Sequence, residues 1–489
     1  MKLKPICLGT VCLTFFILHA SSATLYVDLN STSPVSPYTN WVTAATNIQD
    51  AVSRSQSGDT ILVTNGVYQY GTYSASGLNR VYILPNLTVK SVNGPAVTTI
   101  MGYQVPGTIN GSTAVRCVYL NNGAILSGFT LTNGATQTVG YSGGGVYCQS
   151  TSALVTNCII IGNAADNTGG GTCSGTIINC TLKSNAVSLL SYGSAGGAYS
   201  SVLVNCILAG NRAGYEGGGA YLCSLTNCLV YGNSGSDGGG AASSTLVNCT
   251  VVSNSVYYGG YGGGTFGGTL INCIVYYNQS GLPGFTNYFG GTFTNCCTTP
   301  LPGGASNIAS APVFVDLADG NFRLQTNSPC INAGNNSFIT NSTDLDGRPR
   351  IVGGTVDMGA YEFQGAGMGE FIGWLQQYGL PTGGPADFVD SDGDGMNNWQ
   401  EWIAGTNPTN AASVLTLSTP VVSKSLKSVK VTWQSVTGKN YFLQRSTNLF
   451  SPLGFLTIQS NLTGQAGTTS FTDITATNGN SFFYRVGVQ

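Results

Sequence analysis

The stretch Ser201-Val202-Leu203-Val204-Asn205-Cys206-Ile207-Leu208-Ala209-Gly210-Asn211 decides how this chain is read, because its pattern keeps returning. Asn-Cys occurs seven times, with cysteines at Cys158, Cys180, Cys206, Cys228, Cys249, Cys273 and Cys296, at intervals of 22, 26, 22, 21, 24 and 23 residues. Five residues after each of the first six cysteines stands a second asparagine: Asn163, Asn185, Asn211, Asn233, Asn254 and Asn278. Glycine clusters separate the units, from Gly143-Gly144-Gly145 through Gly217-Gly218-Gly219 to Gly290-Gly291. Fixed spacing inside the motif and variable spacing outside it mark one structural unit per repeat, with insertions confined to loops.

Each motif is too short for a helix and alternates as a strand does. Val204, Cys206 and Leu208 then share one face, as do Ile178, Cys180 and Leu182, or Val247, Cys249 and Val251. Parallel strands stacked about 4.8 Å apart place like on like. The expected result is a cysteine column flanked by aliphatic columns, with an asparagine column at the turn whose amides bond from coil to coil, Asn278 being its last rung. The glycines supply positive φ or close backbone approach at another corner. A leucine-rich repeat shares the period but needs several leucines per unit, whereas residues 228–248 are mostly Gly, Ala and Ser. The expected fold is therefore all-β, a right-handed parallel β-helix solenoid. Stacked cysteines hold their Cβ atoms near the coil spacing, beyond the roughly 3.5–4.5 Å of a disulfide, so the ladder thiols are expected buried and reduced. Cys297 and Cys330, which flank the final coil, are the disulfide candidate.

Trp41, Asn47-Ile48-Gln49-Asp50-Ala51-Val52, Gly58-Asp59-Thr60-Ile61-Leu62-Val63 and Gly66-Val67-Tyr68 resemble the N-terminal capping helix and first coil of pectin lyase-like β-helix proteins. Gly128-Phe129-Thr130-Leu131-Thr132-Asn133-Gly134, followed by Ser142-Gly143-Gly144-Gly145, is similar to repeats of bacterial polymorphic outer-membrane proteins. Ser328-Pro329-Cys330-Ile331-Asn332-Ala333-Gly334, Asp344-Leu345-Asp346-Gly347-Arg348-Pro349-Arg350 and Asp357-Met358-Gly359-Ala360-Tyr361-Glu362 resemble the choice-of-anchor Q domain of bacterial surface proteins. The resemblance implies a surface protein whose superfold includes many polysaccharide-cleaving enzymes.

Composition narrows the chemistry. Of 489 residues only 7% are charged, with a net charge of −2, which leaves no basic surface for nucleic acid or anionic lipid. Residues 1–23 read as a signal peptide: Lys2 and Lys4, an apolar run from Ile6 to Leu18, then Ala20-Ser21-Ser22-Ala23. The run is too short to span a bilayer, and no transmembrane segment is expected in the mature chain. The sole histidine, His19, lies in this leader, which excludes Ser-His, Cys-His and His-ligated zinc chemistry from the mature chain. Removing Lys2 and Lys4 takes the net charge from −2 to −4, and removing Cys7 and Cys12 leaves thirteen cysteines of 15, an odd number. A secreted or cell-surface location is expected.

Catalysis by this superfold requires a basic residue beside a calcium-bound uronate, or clustered carboxylates. Between residues 117 and 300 the only charged residues are Asp166, Lys183, Arg212, Glu216 and Asp237. Glu216 immediately precedes Gly217 and Asp237 immediately precedes Gly238, so the two are expected side by side in consecutive coils. They read either as an acid/base pair near Arg212 or as two solvated loop carboxylates. With no third carboxylate and no second basic residue beside them, the second reading is preferred. Tyr141, Tyr192, Tyr215, Tyr221, Tyr257, Tyr258, Tyr261, Tyr276 and Tyr277, near the glycine corners, read either as sugar-stacking rings or as tyrosines tolerated at strand edges.

The composition shifts downstream: ten of the 19 acidic residues lie between Asp344 and Glu401. Asp390-Ser391-Asp392-Gly393-Asp394-Gly395-Met396-Asn397-Asn398-Trp399-Gln400-Glu401 puts oxygen ligands at positions 1, 3 and 5, glycine at 6 and glutamate at 12, the EF-hand-type spacing for Ca2+. Asp390, Asp392, Asp394, the Met396 carbonyl, a water near Asn398 and bidentate Glu401 form the expected ligand set; the alternative is an acidic turn capping a helix at Asn397 or Asn398. The segment resembles dockerin-type and thrombospondin-type calcium modules. From Ser413 onward, short alternating runs such as Ser428-Val429-Lys430-Val431-Thr432-Trp433 suit a small β-sandwich similar to fibronectin type III-like modules. The expected order is signal peptide 1–23, β-helix with choice-of-anchor Q-like end 24–365, helical calcium linker 366–412 and sandwich 413–489. The expected function is adhesion or binding of polysaccharide or cell-surface glycan, with a polysaccharide lyase or glycoside hydrolase as the alternative.

Overall fold

The computed structural model describes residues 22–137, 140–188, 193–257, 259–352, 354–364, 367–381, 389–423, 425, 428–447, 455–476 and 482–488. The expected leader lies outside these residues except for Ser22 and Ala23. The chain forms two compact units, one running to Pro312 and including Pro329–Glu362, the other comprising Val313–Ser328 and Phe363–Gln489. No helix among the described residues is long and apolar enough to cross a membrane.

The first unit is a parallel β-solenoid. Its first sheet has eleven strands, from Thr24–Val27 to Thr292–Thr294; a second has ten, from Gly66–Tyr68 to Cys297–Thr298; a third also has ten, from Tyr73–Ser74 to Tyr288–Phe289. A typical coil contributes one strand to each sheet; Tyr73–Ser74 and Leu78–Ile83 are the exception, an antiparallel hairpin within one coil of the third sheet. Pairing between coils is in register and parallel: Leu203 lies between Ile177 and Leu225, and Leu208 between Leu182 and Val230. Helix Ile48–Val52, capped by Asn47, packs Ile48, Ala51 and Val52 into the core at the N-terminal end.

The Asn-Cys motif is not the single strand its alternation suggests. Asn205 is left-handed at φ 52°, as are the equivalent asparagines of the other six motifs, and this corner separates strand Val202–Val204 of the first sheet from Ile207–Ala209 of the second. An asparagine tolerates that conformation better than most residues. The turn resets the side-chain phase, so Leu203, Cys206 and Leu208 are buried while Val204 is half-buried. Ile178 and Val247 likewise give way in the core to Ile177 and Leu246.

The cysteine column forms inside this corner. All thirteen described cysteines are buried free thiols. The Cys158 N–H donates to Cys180 Sγ at 3.3 Å, and each thiol bonds back to a carbonyl of its own motif, Cys206 Sγ to the Val204 carbonyl at 3.3 Å. Outside this column, at the corner after the third-sheet strand Ala220–Tyr221, burial pushes the Cys223 thiol up to about 12. Cys297 and Cys330 stand as two buried thiols rather than the expected disulfide. The two thiols are hydrogen-bonded to each other, and Cys297 Sγ also donates to the Ser310 carbonyl at 3.2 Å.

The second asparagines form the expected ladder. Asn185 N–H and its side-chain amide both donate to Asn211 Oδ1 at 3.0 Å, and Asn211 repeats this toward Asn233 at 2.9 Å. Asn278 is not the end, because it donates to Asn287 Oδ1, whose amide reaches the Thr299 carbonyl at 2.9 Å. The glycine clusters work in two ways. Gly217 has φ 68°, whereas a Cβ on Gly218 would meet the Gly239 carbonyl at 2.4 Å. Residues 330–362 strap across the corner asparagines of the late coils: Asn227 donates to the Thr343 carbonyl, Asn272 to that of Asn335 and Asn295 to that of Ala333.

The second unit contains two antiparallel three-stranded sheets. One joins Val421–Ser423, Ser428–Ser435 and Gly467–Asp473; the other joins Leu456–Thr463, Asn440–Ser446 and Phe483–Val488. Their shared core is Val429, Val431, Trp433, Tyr441 and Leu443. Helices Gly367–Gln377 and Asn398–Ala404 make a separate small core of Phe371 and Leu375 against Trp399 and Trp402.

Candidate functional site

Two places concentrate chemistry, one in each unit. On the solenoid it is the outer face of the third sheet. Parallel register places Tyr82, Tyr119, Tyr147, Cys173, Tyr199, Tyr221, Ala242, Phe266 and Phe289 in one column. The rings touch along it: Tyr73 to Tyr82 at 4.9 Å, Tyr82 to Tyr119 at 5.2 Å and Tyr119 to Tyr147 at 5.1 Å between centroids. Tyr199 and Tyr221 follow at 5.9 Å, and Phe266 and Phe289 stack at 5.5 Å. Arg116 lies 5.3 Å from the Tyr147 ring and is locked by bonds to the Gly143 and Ser142 carbonyls; burial lowers its pKa to about 10.

The corner beside this column holds the expected carboxylates. Glu216 and Asp237 are bridge partners on adjacent coils, as the glycine spacing implies. Each has its own tether: the Tyr261 N–H donates to Asp237 Oδ1 at 2.7 Å, and the Tyr221 hydroxyl bonds to Glu216, which together with burial raises the tyrosine pKa. Arg212 belongs to a different network. Its Nε donates to the Tyr257 hydroxyl at 3.1 Å, its guanidinium sits 5.6 Å from that ring, and Tyr257 shares a 2.6 Å bond with Ser234. Tyr215 and Tyr261 are exposed at this corner, whereas Tyr276 and Tyr277 pair at the end of the second-sheet strand Ile274–Tyr276. Tyr192 and Tyr258 lie outside the described residues.

In the second unit the acidic loop closes on itself. One carboxylate oxygen each from Asp390, Asp392 and Asp394 lies within 4.8 Å of the others. Asp390 accepts from the N–H groups of Gly393 and Gly395 at 2.7 and 2.8 Å, which curls the loop around it. Glu401 is 0% exposed, and its Oε2, with Asp392 Oδ2 and Asp394 Oδ2, is buried without a hydrogen-bond partner. Burial, then Asp392 and Asp394, push the Glu401 carboxyl up to about 7. Unpartnered buried carboxylate oxygens are costly, and the donor set is all hard oxygen, so these residues fit a divalent cation. Asn397 does cap helix Asn398–Ala404, with a capping box to Gln400, but that cap leaves the three oxygens unused. The Asn398 side chain accepts from Ser391 at 2.9 Å.

No family model and no curated protein matches the chain. Among solved structures, a pectate lyase is similar at 17% identity, covering 70% of this chain and 97% of that one with a TM-score of 0.45. A rhamnogalacturonan lyase follows at 13%, 62%, 97% and 0.37, and a pectin methylesterase from Erwinia chrysanthemi at 14%, 57%, 80% and 0.29. The architecture rests on the chain's own topology. It is a three-sheet parallel β-helix.

The aromatic column escaped the sequence reading, which picked out only Tyr221 of its members. A signal was available. Counting two residues from the last glycine of each cluster before Gly290-Gly291 reaches Tyr147, Cys173, Tyr199, Tyr221, Ala242 and Phe266 in turn.

Proposed function

We propose that this is an exported bacterial surface protein whose solenoid holds glycan chains without cleaving them, while a calcium loop stiffens the C-terminal unit. The observation that carries this reading is the aromatic column: a charge-poor, half-buried row of rings suits the apolar faces of sugars. The tethering of Glu216, Asp237 and Arg212 in separate networks supports binding over turnover, since acid/base work needs groups converging on one reacting position. In the second unit, Asp390, Asp392, Asp394, Glu401 and the Met396 carbonyl would hold the ion, and Asn398 would act through water. The choice-of-anchor Q-like strap and the fibronectin type III-like sheets suit attachment and spacing at a cell surface.

Binding is tested by a glycan array on the intact chain, with Tyr147→Ala and Tyr199→Ala as variants that should each weaken capture several-fold. Cleavage is tested by incubation with uronate polysaccharides. Release of unsaturated or reducing ends would overturn the reading in favour of a lyase or hydrolase.

A further inference from the structure

Away from the aromatic column, the corner that follows the second sheet carries a shorter parallel strip. Its register runs through Ala135 and Ala164, which are buried, to Ala186, Arg212, Ser234 and Ser255, which are more open. The residues that follow three of these, Ala165, Val187 and Ala213, form a small buried cluster of their own. Two alanines beside an arginine make a shelf about two coils wide, walled on one side by the arginine stem.

The other wall is a loop. Residues 103–115 fold out as a hairpin in which Val105 and Ile109 exchange N–H to carbonyl bonds at 2.8 and 2.7 Å. Gln104 pins it two coils further along, donating to the Gly162 carbonyl at 2.8 Å. Ile109 is held at φ 66° and is 50% exposed, an arrangement a β-branched residue adopts only where its surroundings dictate it. Between hairpin and shelf lies a cleft of about 280 Å³, floored by Ala164, Ala165, Ala186 and Val187 and rimmed by Thr108, Asn110, Ser188 and Arg212.

An apolar floor with a few rim polar groups is the usual anatomy of a small-ligand seat. The charge on the rim narrows the occupant. Arg212 is one of two cations between residues 117 and 300. Among the described residues no carboxylate pairs with it: Nε is committed to Tyr257, which fixes the guanidinium plane and leaves its terminal nitrogens for an anion. Asp166, next to Ala165, is turned toward the Gly140 N–H at 3.4 Å. We infer that this cleft seats one acidic sugar unit of a glycan, its C–H face on the alanine floor and its anionic group on Arg212. The inference rests on the glycan-binding reading and gives it a second, chemically distinct contact.

The experiment is calorimetric titration of the intact protein with three hexasaccharides: a galacturonan, a neutral galactan and a sulfated galactan. The variants are Ala186→Trp, which fills the cleft from a half-buried position on its floor, Arg212→Ala, and Lys183→Ala as a control at the other cation of this region. Circular dichroism confirms folding of each. The expected result is binding of an acidic oligomer at least tenfold tighter than the neutral one, lost in Ala186→Trp, weakened about tenfold in Arg212→Ala and unchanged in Lys183→Ala. A preference for the galacturonan or for the sulfated oligomer tells carboxylate from sulfate. Equal affinity for neutral and acidic oligomers, or wild-type affinity in Ala186→Trp, overturns the cleft assignment and leaves the glycan reading standing. Absence of binding to all three, together with an array that captures nothing, overturns both.

Discussion

The asparagine ladder and the acidic loop solve the burial of polar groups in opposite ways. In the ladder the interior amides find their partners inside the fold: the Asn211 side chain receives two bonds from Asn185 and its amide nitrogen gives two, to Asn233 and to the Leu182 carbonyl. In the loop three carboxylate oxygens are buried with none, and their owners repel one another. A buried polar network is stabilising when complete and costly when partial. The ladder is therefore satisfied by the polypeptide itself, whereas the loop's unpartnered oxygens are what the proposed cation would satisfy.

The largest effect should come from the loop. Adding calcium to the chelated full chain at a hundredfold over its dissociation constant is expected to stabilise the second unit by about 2.7 kcal/mol. Asp390→Ala combined with Glu401→Gln should abolish both that shift, followed by differential scanning calorimetry, and the binding heat. Unchanged uptake in the double variant would place the ion elsewhere.

The ladder provides the converse case. Asn211→Ala strands the amide groups of Asn185 and the Leu182 carbonyl, and should cost about 1–3 kcal/mol by denaturant unfolding. Asn287→Ala, at the final rung, should cost less because the Thr299 carbonyl that it also satisfies is only part-buried and can turn to water, leaving Asn278 as the buried group that loses its partner. Equal and negligible costs would mean that the ladder is not cooperative.

A smaller, pH-dependent effect is expected in the strap, where the comparison is blurred because its carboxylates are partnered but crowded. Asp344 accepts from the N–H groups of Arg348 and Glu362, and Glu362 from those of Val352 and Asp357. Burial, and then Asp346 for Asp344 and Asp357 for Glu362, still raise both carboxyls to about 7 from 3.8 and 4.5. The folded state therefore holds protons that the unfolded state has lost, so stability is greatest below pH 4 and falls as pH rises through about 7. Hydrogen exchange, corrected for intrinsic rates, should show residues 330–362 better protected at pH 5 than at pH 8. The least change should come from alkylating reagents. The ladder thiols should stay unmodified in the native protein and react together on unfolding; mass mapping of bridges between them would contradict the buried column.

The sequence made the solenoid legible because its chemistry repeats at a fixed interval. Spacing alone located the cysteine column, the asparagine ladder, and the meeting of Glu216 with Asp237. It did not locate the left-handed corner at Asn205, since period-two alternation carries no mark where one sheet ends and the next begins. The aromatic column was hidden because its positions are set by the glycine corner and not by Asn-Cys. The loop was legible as a ligand list, yet the complete burial of Glu401 depends on tertiary packing that no local spacing encodes.

The ladder asparagines speak only to the rungs beside them, and the same holds for each strand and each thiol. A molecule wired in this way behaves as a chain of nearest-neighbour couplings. Whole coils could be gained or lost in evolution without inventing a new contact, provided that the insertion respects the Asn-Cys and glycine phases. Under load such an array should come apart as a zipper, coil after coil from whichever end loosens first. The strap over Asn227, Asn272 and Asn295 then acts as a latch on the late coils, so that peeling is expected to begin at the other end.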